Sequence, residues 1–347
     1  MASLWTTLLE SALLVAFLPG PDGGAVAQTG SGSDPLFLMK EGRLTESERR
    51  ALDRGAIVTK VLDPQNPSEV LAFAALQVKT TPSLVLDRFR SGGQWRGDPF
   101  VLGTGMLSAL PSVRDLEGLT LDAGDVKDLS KCRIHDCEVR LPAETIQLFR
   151  TAIDWTSPQH AADATELFRR TLASYSLSYL RQGNPALFEY ANNDDPVRIG
   201  EGLKGLVLRS AFLREAEPDL YAYLEQFPNH RPRGAEDFVF WLKETFWRRD
   251  VLSLNHSTVM DHPTPSGRLI IAVARQLYAT RYYETALNVT TYVETPGGAS
   301  YLISLNRARA DIRPSGFNWI ERLLLNRLVR GRIETQSAYV KRSLEGS

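Results

Sequence analysis

The sequence predicts an α+β fold: an antiparallel sheet gripped by a long C-terminal helix, with a large, mostly helical insert. Three observations carry this. First, residues 251–347 read as V-L-S-L-N-H-S-T-V-M, R-L-I-I-A-V-A-R-Q-L-Y-A-T-R-Y-Y-E-T-A-L-N-V-T-T-Y-V-E and A-S-Y-L-I-S-L-N-R-A-R-A-D, strand-like runs followed at once by a long helix from F-N-W-I-E-R-L-L-L to Y-V-K-R-S-L. Second, residues 45–141 supply further strands that cannot bury both faces alone. Third, residues 142–250 change to helical spacing. One sheet assembled from both ends of the chain, interrupted by a helical insert, gives every apolar face a partner. The alternative is a separate helical domain.

The chain's 347 residues suffice for one large or two ordinary domains. With 43% hydrophobic and 23% charged residues it is globular and not disordered. Its formal charge of −1 lacks the basic excess of a nucleic-acid binder, so no nucleic-acid partner is expected.

Residues 1–27 read as a signal peptide. An apolar run ends in A-V-A before Gln28, which fits the small-residue cleavage pattern. No Lys or Arg precedes the run and Glu10 interrupts it, so a packed N-terminal helix is the alternative. The run is too short and broken for a good membrane span. The expected location is exported, periplasmic or extracellular.

Residues 28–44, rich in Gly, Ser and Thr, read as a linker. Residues 45–53 form a short helix capped by Thr45, with Arg49 and Arg50 outward. A-I-V-T-K-V-L-D and E-V-L-A-F-A-A-L-Q-V-K are strands around a D-P-Q-N-P-S turn. T-P-S-L-V-L-D-R-F-R starts a short helix, F-V-L-G-T-G-M-L a strand, and a short helix lies near Val126. In the insert, Ile146, Phe149, Ile153 and Trp155 mark one helix, and a second stops at Gly183. The helix in P-V-R-I-G-E-G-L-K-G-L-V-L is weakened by its three glycines. D-L-Y-A-Y-L-E-Q-F-P and A-E-D-F-V-F-W-L-K-E-T-F-W-R-R complete the helical block.

The cysteines are Cys132 and Cys137. A helix would set them about 140° apart, too far round to bond. A tight hairpin with R-I-H-D as its loop would bring them together, and an oxidising compartment would then make a disulfide worth roughly 2 kcal/mol. Free thiols are one alternative and a metal site through His135 another. A structural zinc takes four ligands and no second pair is present, so no metal or cofactor is expected.

The order strand, short helix, antiparallel strands and long terminal helix over residues 55–110 plus 251–345 resembles the helix-grip fold, the START and polyketide-cyclase-like superfamily. The resemblance is one of layout and has no diagnostic motif. The block at 142–250 departs from it, since ordinary members have no insert of that size. R-Q-L-Y-A-T-R-Y-Y-E and Y-L-I-S-L-N-R-A-R are similar to a family of exported bacterial proteins without an assigned activity. The helix-grip resemblance implies an apolar cavity between sheet and helix for a lipid, sterol or polyketide. It carries over no catalytic residue.

Strand alternation nominates site residues. His256 shares a face with Leu252, Leu254 and Met260. On a continuous strand from Gln276, Arg281 and Tyr283 share a side with Leu287 and Val289. Arg307 and Arg309 follow Tyr301, Ile303 and Leu305. A buried lone arginine costs several kcal/mol, so Glu284, Asp311 or an acidic ligand must answer it. The expectation is a polar cluster of His256, Arg281, Tyr283 and Arg307 at one end of a hydrophobic tunnel, orienting an amphipathic acid. The alternative is a structural network of Arg–Glu pairs and a satisfied core histidine. The terminal helix carries Arg322, Arg327, Arg330 and Arg332 opposite Ile320, Leu324, Leu328 and Ile333. That is a solvated face over a packed one, with a membrane surface as the alternative partner. The chain lacks a phosphate-binding glycine loop, H-E-x-x-H and G-x-S-x-G, which removes the commonest nucleotide, zinc-protease and hydrolase classes. The expected function is an exported binding protein for a small apolar or amphipathic ligand. An envelope interaction module, or an enzyme with scattered His, Tyr, Glu and Arg residues, is the alternative.

Overall fold

The computed structural model describes residues 37–64, 66–92, 97–265, 267–310 and 319–346. Residues 1–27, read as a signal peptide, the first part of the stretch read as linker and Asp311 lie outside them, as do the side chains of Ile320 and Arg322. Helix α1 (Phe37–Glu41) falls in the stretch read as linker, because its Leu38 is fully buried in the core. Thr45 caps α2 (Glu46–Asp53) in a reciprocal box with Glu48. Strands β1 (Val58–Leu62) and β2 (Glu69–Val78) form a hairpin. Helix α3 (Pro82–Ser91) starts at Thr81-Pro82 and ends on left-handed Gly92. Strand β3 (Val101–Met106) and helix α4 (Ala123–Lys131) follow. Cys132 and Cys137 are disulfide-bonded around R-I-H-D, and Arg133 bridges Asp136 inside that loop.

The insert holds α5 (Ala143–Ala152), α6 (His160–Gln182), the small ladder β4 (Glu189–Tyr190) and β5 (Val197–Arg198), α7 (Ile199–Leu208) and α8 (Pro218–Gln226). Strands β6 (Glu236–Phe246), β7 (Arg249–Thr264), β8 (Gly267–Ala279), β9 (Tyr283–Glu294) and β10 (Ser300–Ala310) lead to the terminal helix α9 (Trp319–Glu345). Eight strands make one antiparallel sheet in the order β1-β2-β10-β9-β8-β7-β6-β3. The two ends of the chain meet where Phe73 of β2 faces Leu305 of β10 and Gly105 of β3 faces Trp241 of β6.

Two expectations are corrected. Residues 236–246 are strand and not helix. Val239 and Trp241 are buried on one face of β6, Phe240 and Leu242 on the other, so no period-2 alternation marks it. The run from Gly267 to Glu294 is two strands, β8 and β9, separated by a turn with Tyr282 at φ 65°. A register shift at Leu254/Asn255 further breaks the alternation. Leu287 and Val289 do point into the main core.

One sheet face, including Phe73, Ile271, Val273, Leu287 and Ile303, packs on insert residues such as Phe168, Leu172, Leu206 and Phe212. Sheet and insert therefore belong to one compact unit. The other face meets α3 and the end of α9, through Val85, Leu86 and Leu344 against Leu76, Val259, Ile270 and Leu302. Glu334 of α9 accepts from Thr59 of β1 (3.2 Å), and Arg332 of α9 pairs with Glu244 of β6. In a flat sheet β1 and β6 would stand six spacings, about 29 Å, apart. Positions two residues apart on a helix differ by only about 3 Å along its axis. The sheet is thus rolled around α9. The expected faces of α9 are corrected in part: Leu324 and Leu328 are exposed, whereas Arg332 is held between Glu244, Phe100 and Phe246.

The glycines of α7 set its distance from the sheet. A Cβ on Gly202 would meet Thr285 Cγ2 at 2.9 Å, while one on Gly200 has nothing nearer than 3.7 Å. Gly200→Ala should stabilise by up to about 1 kcal/mol. Gly202→Val should destabilise by about 1–3 kcal/mol by overpacking. Urea midpoints at constant m-value read both effects.

Candidate functional site

The four nominated residues do not form one cluster. His256 is fully buried in β7. Its Nδ1 faces the Tyr179 hydroxyl (2.8 Å) and an Arg275 Nη2 (2.9 Å), and its Nε2 faces Asp237 Oδ1 (2.9 Å). An arginine can only donate, so Nδ1 is bare and the proton sits on Nε2, donated to Asp237. The ring is neutral. Burial, reinforced by the Arg275 charge, lowers its pKa to about 4 despite Asp237. Asp237 also accepts from Thr258 (2.8 Å) and Tyr223 (2.7 Å) and pairs with Arg231 (3.2 Å). Burial pushes this carboxyl up, but the hydrogen bonds from His256, Tyr223 and Thr258 prevail and hold it at about 2.

Arg281 lies in the turn after β8, where it binds Asp125 (2.5 Å) and the Asp250 carbonyl (2.6 Å). Tyr283 packs on Phe246, with ring centroids 5.1 Å apart, and burial raises its phenol pKa. Arg307 pairs with Glu41 of α1 (3.5 Å), and Arg309 with Glu284 (2.9 Å). His256 and Arg307 share a cross-strand row, but Arg275 and Leu287 stand between them. Three strand spacings separate them by about 14 Å. His256 and Arg307 point toward the insert-side face, away from α9.

The face under α9 has a different chemistry. One cross-strand row runs Ala72, Asn306, Asn288, Ala274, Ser257. The next runs Ala74, Ser304, Thr290, Ala272. Asn255 faces Gln276 alongside. These positions alternate with the core-facing apolar ones, so they look into the rolled side. Asn255, Ala274, Asn288, Thr290, Ser304 and Asn306 stay half-buried in the middle of an otherwise covered sheet. Asn288 Nδ2 donates to the Ser304 hydroxyl (3.1 Å), and the Thr290 hydroxyl donates to Asn288 Oδ1 (2.8 Å). Gln276 Oε1 is buried with no hydrogen-bond partner among the described residues. An unmade bond of this kind is costly unless a water or ligand completes it.

Apolar side chains flank these rows, which form the floor of a shallow trough facing α9: Tyr292, Ile270, Leu302 and Leu344 cluster toward one end, and Phe246 with Val251 and Ala279 toward the other. Near the start of α9, between Leu325 and Val70, the gap is about 10 Å³, at most about one water. Glu244 borders the trough; burial raises its carboxyl pKa against the opposing pull of Arg332. Between β2 and β8 the floor rows carry only small, amide and hydroxyl side chains, and they run on to Val61 on one side and to Phe238 and Val259 on the other. The alternation A-x-A, N-x-T and S-x-N was visible in the sequence, but neutral polar residues in strands read as ordinary surface. No protein-family model matches this chain, and no curated protein matches it. No described helix is long and apolar enough to cross a membrane.

The neutral His256 gives a pH signature. The unfolded chain takes up a proton near pH 6.5, whereas the native ring does so only near pH 4. Its contribution to stability is therefore complete above the upper value and lost as pH falls through the window, by about 3 kcal/mol. The change at Asp237 falls below this window. Urea midpoints at pH 7 and 4.5, for wild type and His256→Gln, should show a smaller acid loss in the variant. Burial lowers His262 as well, and the difference between the two proteins removes its contribution.

Proposed function

We propose that this is an exported binding protein for a small amphipathic, lipid-like ligand with an uncharged head group, held between the sheet and α9. The observation that carries the reading is the row Ala72, Asn306, Asn288, Ala274, Ser257 on the rolled face. Alanine and serine leave room where leucine or phenylalanine would fill it. Amides and hydroxyls then supply paired donors and acceptors for a hydroxyl, ester or amide head. An acidic ligand fits this floor poorly, because the arginines nominated for it are engaged elsewhere. The layout similar to the helix-grip fold supports the same position. Export is supported by the A-V-A cleavage pattern and by the Cys132–Cys137 disulfide, which an oxidising compartment favours.

Native mass spectrometry of protein purified from its own envelope tests this. Wild type should carry a stoichiometric small molecule that organic extraction releases. Ala274→Phe, which fills the trough, should come off empty, and Asn288→Leu should bind about tenfold more weakly. An empty wild type that takes up no neutral lipid, or an Ala274→Phe protein with the same cargo, would overturn the reading.

A further inference from the structure

We infer that the insert carries a second ligand site, for an amphipathic anion, over Arg275. This goes beyond the trough under α9, because Arg275 leaves β8 on the opposite face. Its side chain is 1% exposed. Nη1 donates to Asn184 Oδ1 (3.3 Å) and to the Leu224 carbonyl (2.9 Å). Nη2 donates to the Tyr179 hydroxyl (2.7 Å) and to His256 Nδ1 (2.9 Å). Nε has no partner. Every group it binds is neutral, and no carboxylate among the described residues lies within ion-pair reach of it. Asp237 stands beyond the His256 ring and already pairs with Arg231. The rings of Phe227 and Tyr179, 5.0 and 5.9 Å away, offset part of the desolvation. They do not supply a counter-charge, which a buried cation ordinarily has.

Arg275 lines a cavity of about 630 Å³ between α7, the end of α8 and the segment after α6. That volume lies in the range of small-ligand sites. Leu187, Phe188, Leu203 and Val207 give it apolar walls for a tail. The rim carries Arg198, which pairs with Glu189 and Glu201, together with Lys204 and Glu225, so its carboxylates outnumber its cations by one. Rim charges are screened by water, so the one buried charge, Arg275, sets the sign. The fitting ligand has a single oxyanion head, carboxylate or phosphate, on a short apolar tail.

Isothermal titration of the folded full chain with decanoate, decyl phosphate and decanol tests the site. At least one of the two anions should bind about tenfold or more tighter than decanol, and the preferred head tells carboxylate from phosphate. Gly200→Trp should fill the cavity and abolish binding, since Gly200 lines it and a Cβ there makes only ordinary contacts, with Asn184 O at 3.7 Å and Leu187 Cδ1 at 3.8 Å. Lys204→Glu should weaken binding several-fold. Ala274→Phe should leave it unchanged, which separates this site from the trough under α9. Decanol binding as well as both anions, binding that survives Gly200→Trp, or no binding of either anion at millimolar concentration would overturn the inference.

Discussion

The ion pair between Arg332 and Glu244 holds the sheet in its rolled form. Both side chains are largely buried, so the pair adds little net stability, but breaking it would strand a charge. Phe100 and Phe246 flank the guanidinium and fix its position. With Glu334 on Thr59, the pair ties α9 to both sides of the same face. Sliding α9 by one turn would unmake both ties at once. The curvature of the sheet and the register of α9 are therefore coupled.

The two faces of the sheet divide the chemistry. Charges concentrate on the insert-facing side and around the β8–β9 turn, where Arg281, Arg307, His256 and Asp237 each find partners from helices or loops. The side toward α9 keeps small and neutral groups in its middle rows, with large apolar side chains and the Glu244–Arg332 pair around them. The α9 side therefore presents hydrogen-bonding groups that need no counter-ion, whereas the insert side buries the Arg275 cation among neutral partners. One layer thus has two faces of unlike polarity.

Much of the fold was legible in the sequence. Thr45, Thr81-Pro82 and Gly183 mark helix ends by backbone chemistry that is local, so they can be read without the tertiary structure. The joining of both chain ends in one sheet followed from the faces left uncovered. Strand β6 was not legible because burial on both sides erases the alternation in F-V-F-W-L. The α9 stripe misled because the helix meets the rolled sheet through Arg332 and its last turns, and leaves Leu323 and Leu324 exposed. For the site, the sequence pointed to polar residues on apolar strand faces. His256 is satisfied by Tyr179 of the insert, Arg281 by Asp125 of α4 and Arg307 by Glu41 of α1, and no strand pattern reveals what such distant elements will contribute. Asn288, Asn306 and Gln276 matter through position alone, and position came only with the register.

The pairing of β2 with β10 has a consequence for biosynthesis. Phe73 meets Leu305 only after nearly the whole chain has been made. Until then the first hairpin presents an alanine-rich edge with unsatisfied backbone groups, and β3 waits in the same way for β6. Such high contact order slows folding and exposes the nascent chain to aggregation. Shielding of the early strands until β10 and β6 are made would therefore protect the chain at the stage when its sheet edges are bare.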